Sequence, residues 1–153
     1  MKKFTILGTG WLGFELAKSF KDLYKIKVSS RNEEKLKIYE DEGLSSYVLN
    51  ENHLESLDEL LDTDYLFINF PPSKSDDYLG FLNKIYTHQK IKNIDKIFFI
   101  SSTSIYPNCV GFFDENFKIE TSSSKIVFDA ETLVSSKSDI IFRVSALVGA
   151  NRV

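Results

Sequence analysis

The chain is poor in cysteine and histidine and has no long apolar run, although it is 153 residues long. A single cysteine, Cys109, excludes an intrachain disulfide and fits a reducing compartment, so we expect a cytoplasmic protein. His53 and His88 have no second ligand at metal spacing, so no metal site is predicted. No run could span a bilayer, and a net charge of −3 gives no overall attraction to nucleic acid or anionic membrane. Neither is expected as a partner.

The first apolar run leads into the sequence GTGWLG at positions 8–13, which contains three glycines at the spacing G-x-G-x-x-G. Between a strand and a helix, this spacing is typical of dinucleotide binding. Gly8 would permit the tight turn, Gly10 would let the backbone approach a diphosphate, and Gly13 would let the helix pack on the strand. The helix N-terminus would attract the phosphates. The residues predicted to contact the cofactor here are Gly8, Thr9, Gly10, Trp11, Leu12 and Gly13. A glycine-rich turn without a ligand is the alternative.

Strand-like and helix-like segments alternate along the chain. The strand-like runs, four of them almost entirely apolar, are Phe4–Leu7, Ile26–Ser29, Ser46–Leu49, Tyr65–Phe70, Ile97–Ser101 and Ile140–Val144. The helix-like segments are about Trp11–Lys21, Asn32–Glu42, Leu54–Leu61, Asp76–Lys90 and Ser123–Ser135. With the glycine turn after the first strand, this alternation predicts an α/β fold of the doubly wound Rossmann type. We expect a parallel sheet of about six strands in the order 3-2-1-4-5-6, helices on both faces, and one domain over residues 1–153.

The end of the second strand bears on the choice between NAD and NADP. An acidic residue there would bind a ribose 2′-hydroxyl and favour NAD. The sequence instead has Ser29, Ser30 and Arg31. Hydroxyl and guanidinium groups suit a 2′-phosphate, so Ser30 and Arg31 are predicted to bind NADP, with NAD less favoured. A solvated Arg31 at a helix start is the alternative.

Three other segments are interpreted from their position or composition. Asn69, Phe70 and Pro71 follow the fourth strand, where the strand order reverses, and are predicted to border the cofactor; a plain rigid loop is the alternative. The acidic residues between positions 41 and 64 are interpreted as a solvated helix face. The sequence has no Walker-type Gly-Lys-Ser/Thr, so hydrolysis of a nucleoside triphosphate is not supported. The longest irregular stretch is Ser102–Ser122, and loops of that length are usually functional.

The fifth strand ends in SSTSIY, residues 101–106. Together with the glycine turn, this segment resembles the extended and atypical short-chain dehydrogenase/reductases, the NAD(P)-dependent epimerase/dehydratase group. The family's catalytic serine falls on Ser102. The segment FFDEN at 112–116 resembles the acidic stretch that follows, and FRVSALVGANR at 142–152 resembles the sixth strand and its continuation. The resemblance covers nearly the whole chain and implies the N-terminal Rossmann part of such a protein.

The family's Tyr-x-x-x-Lys pair is matched only in part. The resemblance places its helix at TSSSKIVFDAE, residues 121–131, with Lys125 at the lysine and Thr121 at the tyrosine. A threonine hydroxyl is too weak an acid to replace a phenol in proton transfer at neutral pH. The implied catalytic set is therefore Ser102, Lys125 and Thr121, a pattern similar to that of atypical members, some of which bind the dinucleotide without the full set. Tyr106 matches a tyrosine that is normally not the proton donor.

The resemblance implies an NADP-binding oxidoreductase or epimerase/dehydratase relative, acting on a nucleotide sugar or another carbonyl or alcohol substrate. The C-terminal substrate-binding region of extended members is expected to be absent from these 153 residues, which would leave the substrate side of the cleft open. One alternative is a non-catalytic NADP(H)-binding sensor or scaffold, and another is a Rossmann relative that binds a different ligand such as FAD. Whether the protein is an enzyme stays open. So does its oligomeric state, for which a homodimer is one option.

Overall fold

The computed structural model describes residues 1–149 and residue 152. Residues 150, 151 and 153 lie outside the described residues. The last part of the segment predicted over 142–152, and the last residue of the predicted 1–153 domain, fall among them.

Six parallel strands form one sheet in the order β3-β2-β1-β4-β5-β6. The strands are β1 Lys3–Leu7, β2 Lys25–Ser30, β3 Ser45–Val48, β4 Tyr65–Ile68, β5 Lys96–Ser102 and β6 Ile140–Val144. The α-helices are α1 Gly10–Phe20, α2 Leu36–Asp41, α3 Leu57–Leu60, α4 Tyr78–Tyr86 and α5 Lys125–Val134. The predicted α/β Rossmann-type fold and strand order are therefore confirmed.

Two apolar clusters on opposite faces of the sheet form the core, because successive side chains of a strand point to opposite faces. On one face, Ile6 and Val28 pack with α1 and α2. On the other face, Leu66 and Phe99 pack with α3, α4 and α5. The central strands are buried on both sides as a result, which explains why their sequences are nearly continuous apolar runs.

Several helices are shorter than their apolar periodicity predicts. The predicted helix Asn32–Glu42 divides into a 3₁₀ turn at Glu33–Lys35 and α2, and the predicted helix Asp76–Lys90 ends as α4 at Tyr86. Proline sets another limit: the fourth strand, predicted to reach Phe70, stops at Ile68, ahead of Pro71 and Pro72. None of the helices in the described ranges is long and apolar enough to cross a membrane.

The order of the strands reverses between β1 and β4, which lie side by side at the centre of the sheet. In open α/β sheets, ligands bind beyond the carboxyl ends of the strands at such a reversal. This edge carries the glycine turn after β1, Ser30 at the end of β2, Asn69 after β4 and Ser102 at the end of β5.

Candidate functional site

The three glycines of the opening turn have three different structural roles. Gly8 has a φ of +72°, and a Cβ there would lie 2.6 Å from Cβ of Phe70. Gly10 has a φ of +50°, but a Cβ there would come no closer than 4.0 Å to Asn69. A Cβ on Gly13 would lie 2.9 Å from Cγ2 of Ile6, so α1 sits close against β1. Gly8 and Gly13 are therefore set by packing within the protein, whereas the space above Gly10 is open.

Hydrogen bonds from β2 and from the loop after β4 hold the turn in place. Thr9 donates to the carbonyl of Ser29 twice, from its amide at 3.0 Å and from its hydroxyl at 2.8 Å. The hydroxyl of Ser29 accepts from the amide of Gly8 at 3.0 Å. Asn69 Nδ2 donates to the carbonyls of Gly8 at 3.1 Å and Thr9 at 3.2 Å. The turn's carbonyls are thus bound on the protein side.

The amides at the start of α1 are left for a ligand. Thr9 occupies the N-cap position, yet its hydroxyl donates to Ser29 and does not cap the helix. Within the described part of the chain, the amides of Gly10, Trp11 and Leu12 donate no hydrogen bond. The first amides of a helix have no partner inside it and carry partial positive charge, so this group fits an anionic diphosphate.

A cavity of about 610 Å³ lies over this edge of the sheet. Its volume is within the range of pockets that hold small molecules and cofactors. The predicted site residues that line it are Gly8, Thr9, Gly10, Trp11, Leu12, Ser30, Arg31, Asn69, Phe70, Pro71 and Ser102. Gly13 lies beneath the cavity, packed on β1. The structure therefore brings most of the predicted set together around one space.

One end of the cavity is basic. Arg31 lines it with about a third of its side chain exposed, and Lys35 and Lys74 line it from the turns that follow β2 and β4. In the described ranges, no carboxylate pairs with Lys35 or Lys74. Three cations at this end suit an additional anionic group on the ligand.

Glu51 was missed by the sequence reasoning, which assigned it to a solvated acidic face. That assignment is wrong for Glu51, whose side chain is only 7% exposed. Its Oε2 accepts from Nη1 of Arg31 at 2.6 Å, and its Oε1 accepts from the Ser75 hydroxyl at 3.0 Å and the Asp76 amide at 2.8 Å. The Arg31 guanidinium, helped by the backbone and Ser75 donors, lowers the pKa of Glu51 to about 2. The available signal was its position just after β3, at the same sheet edge as Arg31.

Ser102 lies at the end of β5 and faces the cavity. Its Oγ accepts from the amide of Ser104 at 3.1 Å and caps the 3₁₀ turn Thr103–Ile105. A hydroxyl that accepts in this way still has its proton to donate. Ser102 can therefore act as a hydrogen-bond donor toward a ligand in the cavity.

Thr121 and Lys125 do not line the cavity. The predicted placement of Thr121 on a helix is wrong, because α5 begins at Lys125 and Thr121 is an exposed residue of the preceding turn. The hydroxyl of Ser123 donates to the carbonyl of Ser104 at 2.6 Å, and such side-chain bonds to the backbone compete with helix formation. Lys125 is 86% exposed and pairs with Asp129 along α5. The catalytic roles assigned to Thr121 and Lys125 stay predictions.

Tyr106 lies in the long loop Ser102–Ser122 and belongs to a network that is separate from the cavity. Its hydroxyl donates to the carbonyl of Asp114 at 2.9 Å and accepts from Arg143 at 3.2 Å. Arg143 in turn binds Glu131 through two hydrogen bonds of 3.0 and 2.9 Å. The ring of Tyr106 stacks on Phe113 at 5.2 Å. This network fastens the long loop and α5 to β6, and Tyr106 does not reach the cavity.

Comparison with known proteins agrees with this architecture. No family model matches the chain. Protein YeeZ of Escherichia coli K12 is 30% identical over 168 aligned positions, which cover 99% of this chain and 61% of YeeZ. A putative NAD-dependent epimerase/dehydratase from Methylobacillus flagellatus superposes with a TM-score of 0.73 at 20% identity, covering 99% of this chain and 56% of that one. UDP-glucuronic acid 4-epimerase from Bacillus cereus, solved with NAD, superposes with a TM-score of 0.70 at 15% identity. The superposition covers 92% of this chain and 55% of that one.

The fold is that of the Rossmann part of NAD-dependent epimerase/dehydratases. The resemblance predicted from the glycine turn and the SSTSIY segment is confirmed in this respect. At 15–20% identity, the likeness to the solved structures concerns the fold. The chain spans about three-fifths of the length of YeeZ and a little over half of the two solved structures.

Proposed function

We propose that residues 1–153 form the dinucleotide-binding domain of an NAD(P)-dependent oxidoreductase or epimerase/dehydratase-like protein. The observation that carries the proposal is the group of amides at Gly10, Trp11 and Leu12, which donate no hydrogen bond in the described part of the chain. These three residues line the cavity, and the space above Gly10 is open. Such a group of amides provides hydrogen bonds and partial positive charge to a diphosphate. A glycine-rich turn without a ligand would have no need of an open space at Gly10.

The same cavity has places for the other parts of a dinucleotide. Ser30 and Arg31 would contact the ribose next to the adenine, while Asn69, Phe70 and Pro71 would border the centre. Arg31, Lys35 and Lys74 favour NADP over NAD, because only NADP carries a 2′-phosphate that can use their charge. The NAD bound to the Bacillus cereus epimerase supports a nicotinamide dinucleotide in general.

A nicotinamide cofactor would supply the hydride donor or acceptor for a carbonyl or alcohol substrate. In this chain, Ser102 would orient the substrate oxygen by donating a hydrogen bond. Two tyrosines line the cavity, Tyr39 and Tyr78, and burial raises the pKa of both. A raised pKa makes a phenol a weaker acid, so neither tyrosine is proposed as the proton donor.

The proposed substrate class is inferred from a protein of similar fold. The UDP-glucuronic acid 4-epimerase was solved with a fluorinated UDP-sugar analogue, which favours a nucleotide sugar as the substrate of this protein.

The proposal is tested by titrating the protein with NADPH and following cofactor fluorescence. Gly10→Ala would put a methyl group where the diphosphate is proposed to bind, while its Cβ would come no closer than 4.0 Å to Nδ2 of Asn69. We expect NADPH affinity to fall at least tenfold, equivalent to about 1.4 kcal/mol.

Gly43→Ala is the matched control. Gly43 also has a positive φ, +78°, but it lies between α2 and β3 and a Cβ there would meet nothing within 4 Å. It therefore introduces the same backbone strain away from the cavity, and NADPH affinity should change less than twofold. Equal affinity in Gly10→Ala and Gly43→Ala would contradict the proposal, and so would a wild-type protein that binds neither NADPH nor NADH.

A further inference from the structure

Glu51 is a buried carboxylate at the outer wall of the cavity, and it joins three segments of the sheet edge. It follows β3, it binds Arg31 from the end of β2, and it binds Ser75 and Asp76 from the loop after β4. Glu51 does not itself line the cavity, whereas Arg31 and Lys74 do. The carboxylate therefore stands behind the basic residues and not among them.

The hydrogen bonds of Arg31 leave most of its donors available. Only Nη1 contacts Glu51, at 2.6 Å, and no other hydrogen bond of the Arg31 side chain occurs in the described part of the chain. A guanidinium has five N–H donors in a planar fork, so Nε and Nη2 can still bind a phosphate. The contact with Glu51 fixes the plane of that fork at the cavity wall.

Glu51 also fixes the turn that carries Lys74. Its second oxygen holds the Ser75 hydroxyl and the Asp76 amide, which directly follow Lys74 at the end of the 3₁₀ turn Pro72–Lys74. One carboxylate thus sets the positions of two cations that come from different strand ends. Lys35, which also lines the cavity, adds a third cation to Arg31 and Lys74.

We infer that Glu51 is a positioning residue that determines cofactor selectivity, by holding Arg31 and the Lys74 turn as a site for a phosphate monoester. The phosphate that such a site would take, on the proposed function, is the ribose 2′-phosphate of NADP. The cationic side chains of Arg31, Lys35 and Lys74, which line the cavity, complement a phosphate monoester, which carries about −1.5 to −2 at neutral pH.

The experiment compares dissociation constants for NADPH and NADH in the same protein, because the two ligands differ only in the 2′-phosphate. Glu51→Gln keeps an oxygen that can accept from Asp76 but removes the charge that holds Arg31. NADPH affinity is expected to fall five- to tenfold while NADH affinity changes less than twofold. An equal loss for both ligands would mean a merely structural role, and a gain for NADPH would mean that Glu51 opposes the phosphate; either result overturns the inference.

A double-mutant comparison shows whether Glu51 acts through Arg31. In an Arg31→Ala background, Glu51→Gln should lower the NADPH/NADH affinity ratio less than it does in the wild type, because one of the two cations that it positions is gone. A full additional loss in that background would contradict the inference. Ser75→Ala removes only one hydrogen bond to Glu51 and replaces Glu51→Gln if that variant does not fold. It should lower the NADPH/NADH affinity ratio two- to threefold. An unchanged ratio in Ser75→Ala would contradict the inference that Glu51 positions the Lys74 turn.

The outcomes separate this inference from the proposed function. If the wild-type protein binds neither NADPH nor NADH, the proposed function fails. If it binds both and the ratio does not respond to Glu51, only the inference fails.

Discussion

Replacing Gly8 by alanine tests the contact that closes the opening turn against the loop after β4. The new Cβ would lie 2.6 Å from Cβ, 2.9 Å from N and 3.0 Å from Cα of Phe70. Two of these atoms belong to the backbone, and Phe70 is buried against Phe81, with ring centroids 4.9 Å apart. Relief by a side-chain rotation is therefore excluded, and the loop or the turn has to move.

The size of the effect follows from two contributions. A non-glycine residue at a φ of +72° costs about 1–2 kcal/mol, and overpacking of a well-filled site costs about 1–3 kcal/mol more. Gly43→Ala contains the first contribution without the second, since its Cβ would lie in open space. It also restricts the unfolded chain in the same way, so the difference between the two variants isolates the contact with Phe70.

Urea unfolding followed by far-UV circular dichroism measures both variants. We expect Gly8→Ala to be about 1–3 kcal/mol less stable than Gly43→Ala, with similar m-values. Equal stability of the two variants would mean that the turn does not pack on Phe70, and it would refute the role of this contact in holding the site together.

Two further predictions concern charged groups. Glu51 has a pKa of about 2 in the folded protein against an ordinary 4.5, so the stability that it contributes is present above pH 4.5 and is lost as the pH falls toward 2. After an allowance for solvent screening, this contribution to the free energy of unfolding is about 1–2 kcal/mol. The free energy of unfolding should therefore fall less between pH 6 and pH 3 in Glu51→Gln than in the wild type. Equal falls in the two proteins would contradict the prediction. Glu131→Gln should cost about 2–3 kcal/mol, because it leaves the half-buried Arg143 without its carboxylate, whereas Asp41→Asn, in the exposed pair with Lys37, should cost less than about 0.5 kcal/mol. Thermal unfolding of Glu131→Gln and Asp41→Asn measures both losses of stability, and equal losses would argue against a structural role for Arg143.

The overall fold could be predicted because local patterns determine it. Apolar runs indicated the buried strands, and the glycine turn after β1 indicated the doubly wound order, so the sheet edge at Asn69 and Ser102 was located correctly. The strand ends were also close to those observed, because Pro71 and the polar residues after each run limit strand pairing.

The parts that could not be predicted depend on contacts between distant segments. Glu51 is 20 positions from Arg31 and 24 from Ser75, and its composition-based assignment to a solvated face ignored where the end of β3 lies in the sheet. The resemblance places Thr121 on a helix, but the neighbouring Ser123 bonds to the 3₁₀ turn at 103–105 and the helix begins only at Lys125. Neither effect has a signal in local periodicity.

The most direct measurement of the central claim is a titration of the ¹⁵N-labelled protein with NADPH, followed by amide NMR. If the start of α1 holds the diphosphate, the amide signals of Gly10, Trp11 and Leu12 shift on binding, while that of Gly43 does not. If NADPH binds and these three signals stay in place, or if no signal moves at saturating NADPH, the account of the site is contradicted.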